Sequence, residues 1–139
     1  MSSGARALYT PEILGAAAGL AAFPWDEALP LRGEARSRSC GSTIAMALAV
    51  DAEGRIARIG LRPHACAVGQ AAAHAFATGA AGRNREDIAT ARAQIGAWLA
   101  GEGALPDWPG LNLIEPARDY PGRHGAIVLA WDAALAALS

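Results

Sequence analysis

Between positions 44 and 50 a large apolar side chain falls on every second residue: Ile44, Met46, Leu48 and Val50 alternate with Ala45, Ala47 and Ala49. A period of two belongs to a β-strand, with the larger side chains on one face and the alanines on the other. Asp51-Ala52-Glu53-Gly54 follows, and its glycine can supply the positive φ of a tight turn. Arg55 to Arg62 then reads as a second strand with Ala57, Ile59 and Leu61 on one side. The two runs predict an antiparallel hairpin with one apolar face, which the rest of the chain has to cover.

The segments around the hairpin supply that cover. Leu8 to Phe23 has helical composition, with Thr10 as N-cap and Pro11 in the first turn, and the helix ends near Pro24. Leu31 to Arg36 reads as one further short strand in an otherwise poorly patterned connection. Cys66 to Gly79 opens a helix rich in alanine and glycine. Asn84 with Asp87 caps another, in which Ile88, Ile95, Trp98 and Leu99 share a face until Gly101 stops it. Gly103 to Pro121, with four prolines, reads as irregular, and Arg123 to Leu138 as a final apolar helix. Strands followed by segregated helices give an α+β class: a small antiparallel three-stranded sheet with helices packed against one face. At 139 residues the chain is expected to form a single domain over 1–139.

Charge narrows the function classes. The 12 basic residues are all arginine and nearly cancel 13 acidic ones, so no net positive field exists to hold a nucleic acid. No apolar run approaches the roughly 20 residues of a spanning helix, so no membrane partner is expected. Ile13 to Trp25 is interrupted upstream by Pro11 and Glu12 and has only Arg6 before it, which reads as an amphipathic helix and not a secretory signal. The expected location is cytoplasmic, where a cysteine pair points to metal or redox chemistry before a structural crosslink.

The two cysteines flank the hairpin. If the turn centres on Glu53, paired residue numbers sum to 106, which sets Cys40 opposite Cys66 and Ser42 opposite His64. Opposed strand residues have Cα atoms about 4.5–5.5 Å apart, close enough for shared metal ligation and equally for a disulfide. Cys66 stands where a helix begins, a position that favours a thiolate. The plainer reading is a pair of small buried side chains, which free cysteines commonly are. His64 and His124 are candidate ligands beside them, each set against an ordinary surface role, whereas His74 reads as structural and the four tryptophans as core or lid residues.

The ordered segments resemble the IscU/SufU/NifU N-terminal-type iron-sulfur cluster assembly scaffolds, and most nearly the SufU branch. Leu8-Tyr9 with Ile13-Leu14 is similar to the family's opening helix, and Cys40-Gly41 leads into the alternating strand as the family's first cysteine does. Ala65-Cys66-Ala67-Val68 resembles the Gly-Cys-x-Ile turn onto an Ala/Ser-rich helix. Tyr120-Pro121-Gly122-Arg123, ending in Leu129-Ala130-Trp131, resembles the segment around the third cysteine. The departures cluster at the site. Ser42 stands where the family has Asp, Ala126 where it has its third cysteine, Gly125 at the preceding basic or His position, and Pro63 and Ala65 where glycines precede the second cysteine. His124 is one residue from a family ligand position.

The resemblance implies a SufE/NifU-like fold and a carrier that is not an enzyme. It would bind an iron-sulfur cluster or iron, with zinc as a further candidate, through Cys40 and Cys66, with His124 as an added metal ligand. Thiolates suit such cargo because they are soft ligands and can carry a persulfide. The implied partners are a cysteine desulfurase and recipient apo-proteins. The alternatives are a metal-free dithiol redox module and a degenerate partner-binding domain.

Overall fold

The computed structural model describes residues 9–38 and 41–139. Helix α1 (Pro11–Ala18) begins at Thr10, whose hydroxyl accepts from the Ile13 N–H at 3.1 Å, and runs into a 3-10 turn at Gly19–Ala22. Strands β1 (Leu31–Arg36), β2 (Thr43–Val50) and β3 (Ile56–His64) form an antiparallel sheet in that order. Helices α2 (Ala67–Gly79), α3 (Arg85–Leu99) and α4 (Pro121–Leu138) follow, with a 3-10 helix at Leu111–Asp119 between the last two. The chain is α+β, a three-stranded antiparallel sheet with helices packed against it, as the sequence predicts.

Alternation decides which face is covered. Ile44, Met46 and Leu48 are at most 2% exposed and face the helices, paired with Pro63, Leu61 and Ile59. Helix α4 lies on β1 and β2 and is flanked by α2 and α3. Gly33, opposite Met46, lets the α4 backbone come down onto the sheet: a Cβ there would meet the Ala133 carbonyl and the Ala137 N–H. In the helical layer Phe76 stacks on Trp108 at 5.6 Å and meets Trp131 edge-on at 5.2 Å. The Trp108 indole donates to the Ala75 carbonyl at 2.7 Å. Large rings fill the volume that alanine-rich helices leave between them.

Three details depart from the sequence reading. Paired numbers on the β2–β3 ladder sum to 107, not 106, because a bulge between Ala49 and Val50 leaves Ala57 as the extra residue on β3. Ile56, not Ala57, is therefore the buried partner of Ile59 and Leu61, and His64 faces Thr43 instead of Ser42. The stretch taken as irregular contains the 3-10 helix, in which Leu111, Ile114 and Ala117 are buried at a spacing of three, the period of that helix. The final helix starts at Pro121, two residues earlier than expected, with proline in its first turn.

The outer edge of β3 is not left open. Its Ile56 exchanges hydrogen bonds with the segment at Gly82 and Arg83, and its Leu61 N–H donates to the Phe23 carbonyl at 3.0 Å. The segment after Phe23 then crosses onto the outer face, where Gly60 leaves room for the Pro24 carbonyl and the Asp26 N–H.

Candidate metal and sulfur site

The second cysteine stands where the sheet hands the chain to the helices. β3 ends at His64, and Cys66 is the N-cap of α2 in extended backbone conformation, with φ −65° and ψ 169°. Its carbonyl accepts from the Gln70 N–H at 2.9 Å, and the Gln70 side chain returns to the Ala65 carbonyl at 2.7 Å. The turn is thus fastened by backbone and glutamine, and the Cys66 thiol makes no capping bond. It is free and half-buried. His64, two residues earlier, is exposed at the strand end opposite Thr43.

Cys40, expected opposite Cys66, lies outside the described residues. Around it the β1–β2 connection closes through the Ser37 N–H to the Ser42 carbonyl at 2.8 Å and the Gly41 N–H to the Ser37 carbonyl at 3.0 Å. Gly41 has φ +73°, which an L-residue rarely adopts. Ser42, where the resembled family has Asp, is buried.

The second turn of α4 meets the first turn of α2. A Cβ on Gly69 would sit 2.9 Å from the Ala65 Cβ and 3.1 Å from the Ala126 Cβ. The position corresponding to the family's third cysteine is therefore packed against the helix that Cys66 caps, but it carries a methyl group that is 1% exposed. His124, two residues earlier, is tied down: its Nε2 lies 2.6 Å from the Arg118 carbonyl. A carbonyl only accepts, so Nε2 donates, and in the neutral ring Nδ1 then keeps the lone pair, a common arrangement for a ligating imidazole. Among the described residues no three His, Cys, Asp or Glu side chains come close enough together to hold a metal ion. The described donors thus fall short of a four-ligand shell.

A second cluster escaped the sequence reading. Trp25, counted there as a core or lid residue, lies on the outer face of the sheet with Arg62 at 4.3 Å and Arg32 at 5.6 Å from its ring centroid, and Glu27 beside it. Arg32 and Arg62 occupy outward strand positions, so the alternation contained part of this signal. The chain crossing that brings Trp25 to them left none.

Solved structures place this architecture. Over 98% of this chain and 95% of its own, the N-terminal part of a nitrogen-fixing NifU-like protein from Brucella abortus superposes with a TM-score of 0.84 at 26% identity. A protein from Fervidobacterium islandicum AW-1, described as an iron-sulfur cluster assembly scaffold for the SUF system, superposes with a TM-score of 0.79. Its identity is 19%, over 95% of this chain and 97% of that one, and it bears on the fold alone. No family model and no curated protein sequence matches this chain. The chain is NifU-like in fold along its length, and the resemblance to the IscU/SufU/NifU type read from its residues is borne out. Closeness to the SufU branch in particular has only weak support. Among the described residues no helix is long and apolar enough to cross a membrane.

Proposed function

We propose that this chain is a divergent iron-sulfur cluster assembly scaffold or metal and sulfur carrier, one NifU-like domain over residues 1–139 working in the cytoplasm without being an enzyme itself. The observation that carries the reading is the full-length likeness to the NifU-like structure together with Cys66 capping α2 at the end of β3. The cargo is an iron-sulfur cluster or iron, with zinc as a further candidate. Cys40 and Cys66 supply thiolates, soft ligands suited to each, and His124 supplies a third donor through Nδ1. A cysteine desulfurase would deliver sulfur and recipient apo-proteins would take the cargo on.

The donor count shapes how the cargo is held. With alanine at position 126, two thiols and one imidazole leave an open coordination position, which suits transient loading better than storage. The test is iron, sulfide and zinc content with the visible spectrum after anaerobic reconstitution of the parent, Cys40→Ser and Cys66→Ser. Bound metal in the parent that disappears in either variant is the expected result. Metal content equal in all three would sink the assignment. The same alanine at 126 favours a second reading, a metal-free dithiol module. That reading requires a reversible Cys40–Cys66 disulfide, visible as loss of both free thiols on mild oxidation of protein that binds no metal.

A further inference from the structure

We propose that the outer face of the sheet docks an acidic, extended segment of a partner protein, and that Glu27 stands in for that segment's carboxylate in the free chain. The face is built as a trough. β2 turns Thr43, Ala45, Ala47 and Ala49 to this face; Ala47 is fully buried where the crossing segment packs, and the open floor at Ala45 and Thr43 is low. β1 raises Arg32, Glu34 and Arg36 on one side, and β3 raises Arg58, Arg62 and His64 on the other. Above Ala45 lies a cavity of about 470 Å3 walled by Trp25, Arg32, Glu34 and Arg62 and closed by Glu27.

Two hydrogen-bond donors and a second guanidinium converge there on a single carboxylate. The Trp25 indole N–H donates to Glu27 Oε1 at 2.6 Å, Arg32 Nη2 reaches Oε2 at 3.1 Å, and Arg62 Nη2 lies 3.9 Å from Oε1. The arginines rise from β1 and β3, two strand spacings or about 9.5 Å apart, and both guanidinium groups lean toward the Trp25 ring and the Glu27 carboxylate. The group now in that place is replaceable, because the Glu27 side chain is 73% exposed and belongs to the turn between Phe23 and β1. An exposed ion pair is weak and exchanges readily with an external anion of the same kind.

The trough continues toward the thiol end. One row further along, Arg36, Thr43 and His64 stand side by side across the sheet, and among the described residues Arg36 has no ion pair. Two residues along a strand span about 6.8 Å, so a segment with carboxylates at alternate positions would place one in the Trp25 cradle and the next beside Arg36. A polypeptide fits better than a nucleic acid. The chain's net charge is −1, Glu34 stands in the wall, and the cradle already accepts the flat two-oxygen group of a carboxylate. This surface is independent of the metal chemistry proposed above, so either can fail without the other.

The test titrates a short capped peptide of alternating glutamate and alanine into the full chain, following heat and the Trp25 indole resonance. Removing the internal competitor raises the fraction of open cradle, and for an exposed pair of this strength Glu27→Gln is expected to bind about two- to sixfold more tightly than the parent. Adding Arg62→Ala to Glu27→Gln is expected to abolish that gain, and the glutamine-alanine peptide is expected to bind neither protein. A Glu27→Gln protein that binds no more tightly than the parent overturns the proposal. So does a gain that survives Arg62→Ala, or equal binding of the uncharged peptide.

Discussion

Met46 and Ala45 are neighbours on β2, and they live under different rules. Met46 is fully buried beneath the helices, fixed by Gly33 on one side and Leu61 on the other. Ala45 is half-buried at the floor of an open trough between Glu34 and Arg62. One face is specified by volume, because apolar side chains there must fill space at interior density. The other, apart from Ala47 and Gly60 where the crossing segment packs, is specified by charge placement, because its arginines are solvated. Mutations should therefore cost stability on the first face and change recognition on the second.

The largest effect is expected in the helical layer. Phe76→Ala removes a fully buried ring held between Trp108 and Trp131, and unfolding in denaturant should show a loss of about 3–5 kcal/mol. A loss under 1 kcal/mol would mean that the three rings do not form a packed unit. Gly33→Ala comes next. Its Cβ would press on the α4 backbone at Ala133 and Ala137, which a side-chain rotation cannot relieve, so a cost of about 1–3 kcal/mol is expected, with a lowered Tm. A neutral Gly33→Ala would show that α4 does not rest directly on β1.

The inner face was largely legible in the sequence. Alternation at Ile44–Val50 located the central strand, the Asn84–Asp87 pair forms the capping box at the start of α3, and Leu31–Arg36 is a strand with those bounds. Register was not legible to the residue, because the extra Ala57 has no signature that separates it from ordinary strand positions. The 3-10 helix was hidden for a different reason: Leu111, Ile114 and Ala117 repeat every three residues, and a search for the α period passes over them, the more so with Pro116 in the run. At the candidate site Cys66 could be read as a helix start, but the contact of Gly69 with Ala126 joins helices far apart in sequence. Of the Trp25 cradle only the outward positions of Arg32 and Arg62 could be read, because the chain crossing that brings Trp25 and Glu27 to them left no local signal.

On the outer face the expected effects on stability are small. Ala45→Val adds a β-branched residue to a half-buried strand position, where strand propensity gains and crowding beneath Arg62 oppose each other. Its stability should stay within about 0.5 kcal/mol of the parent. A large loss would show that the trough floor is packed like the inner face and would erase the distinction between them.

Glu27 gives the smallest effect on stability and the sharpest test of charge placement. The Trp25 indole N–H, then Arg32, then Arg62 hold its carboxyl below the ordinary value of 4.5. A carboxylate favoured in this way contributes stability above its unfolded value, and that contribution is lost as pH falls through the lower folded value. The Trp25 fluorescence of the parent should therefore change on acidification with a midpoint below pH 4.5, and Glu27→Gln should lack that transition while unfolding at nearly the same denaturant concentration. The other tryptophans supply the control, since Trp98, Trp108 and Trp131 are buried in the helical layer and do not face this carboxylate. If the transition persists in Glu27→Gln, the indole is reporting a global acid-induced change, and the outer face does not titrate as a separate electrostatic unit. If it vanishes with stability intact, the cradle senses the charge of whatever carboxylate occupies it, which is the property that docking of an acidic segment requires.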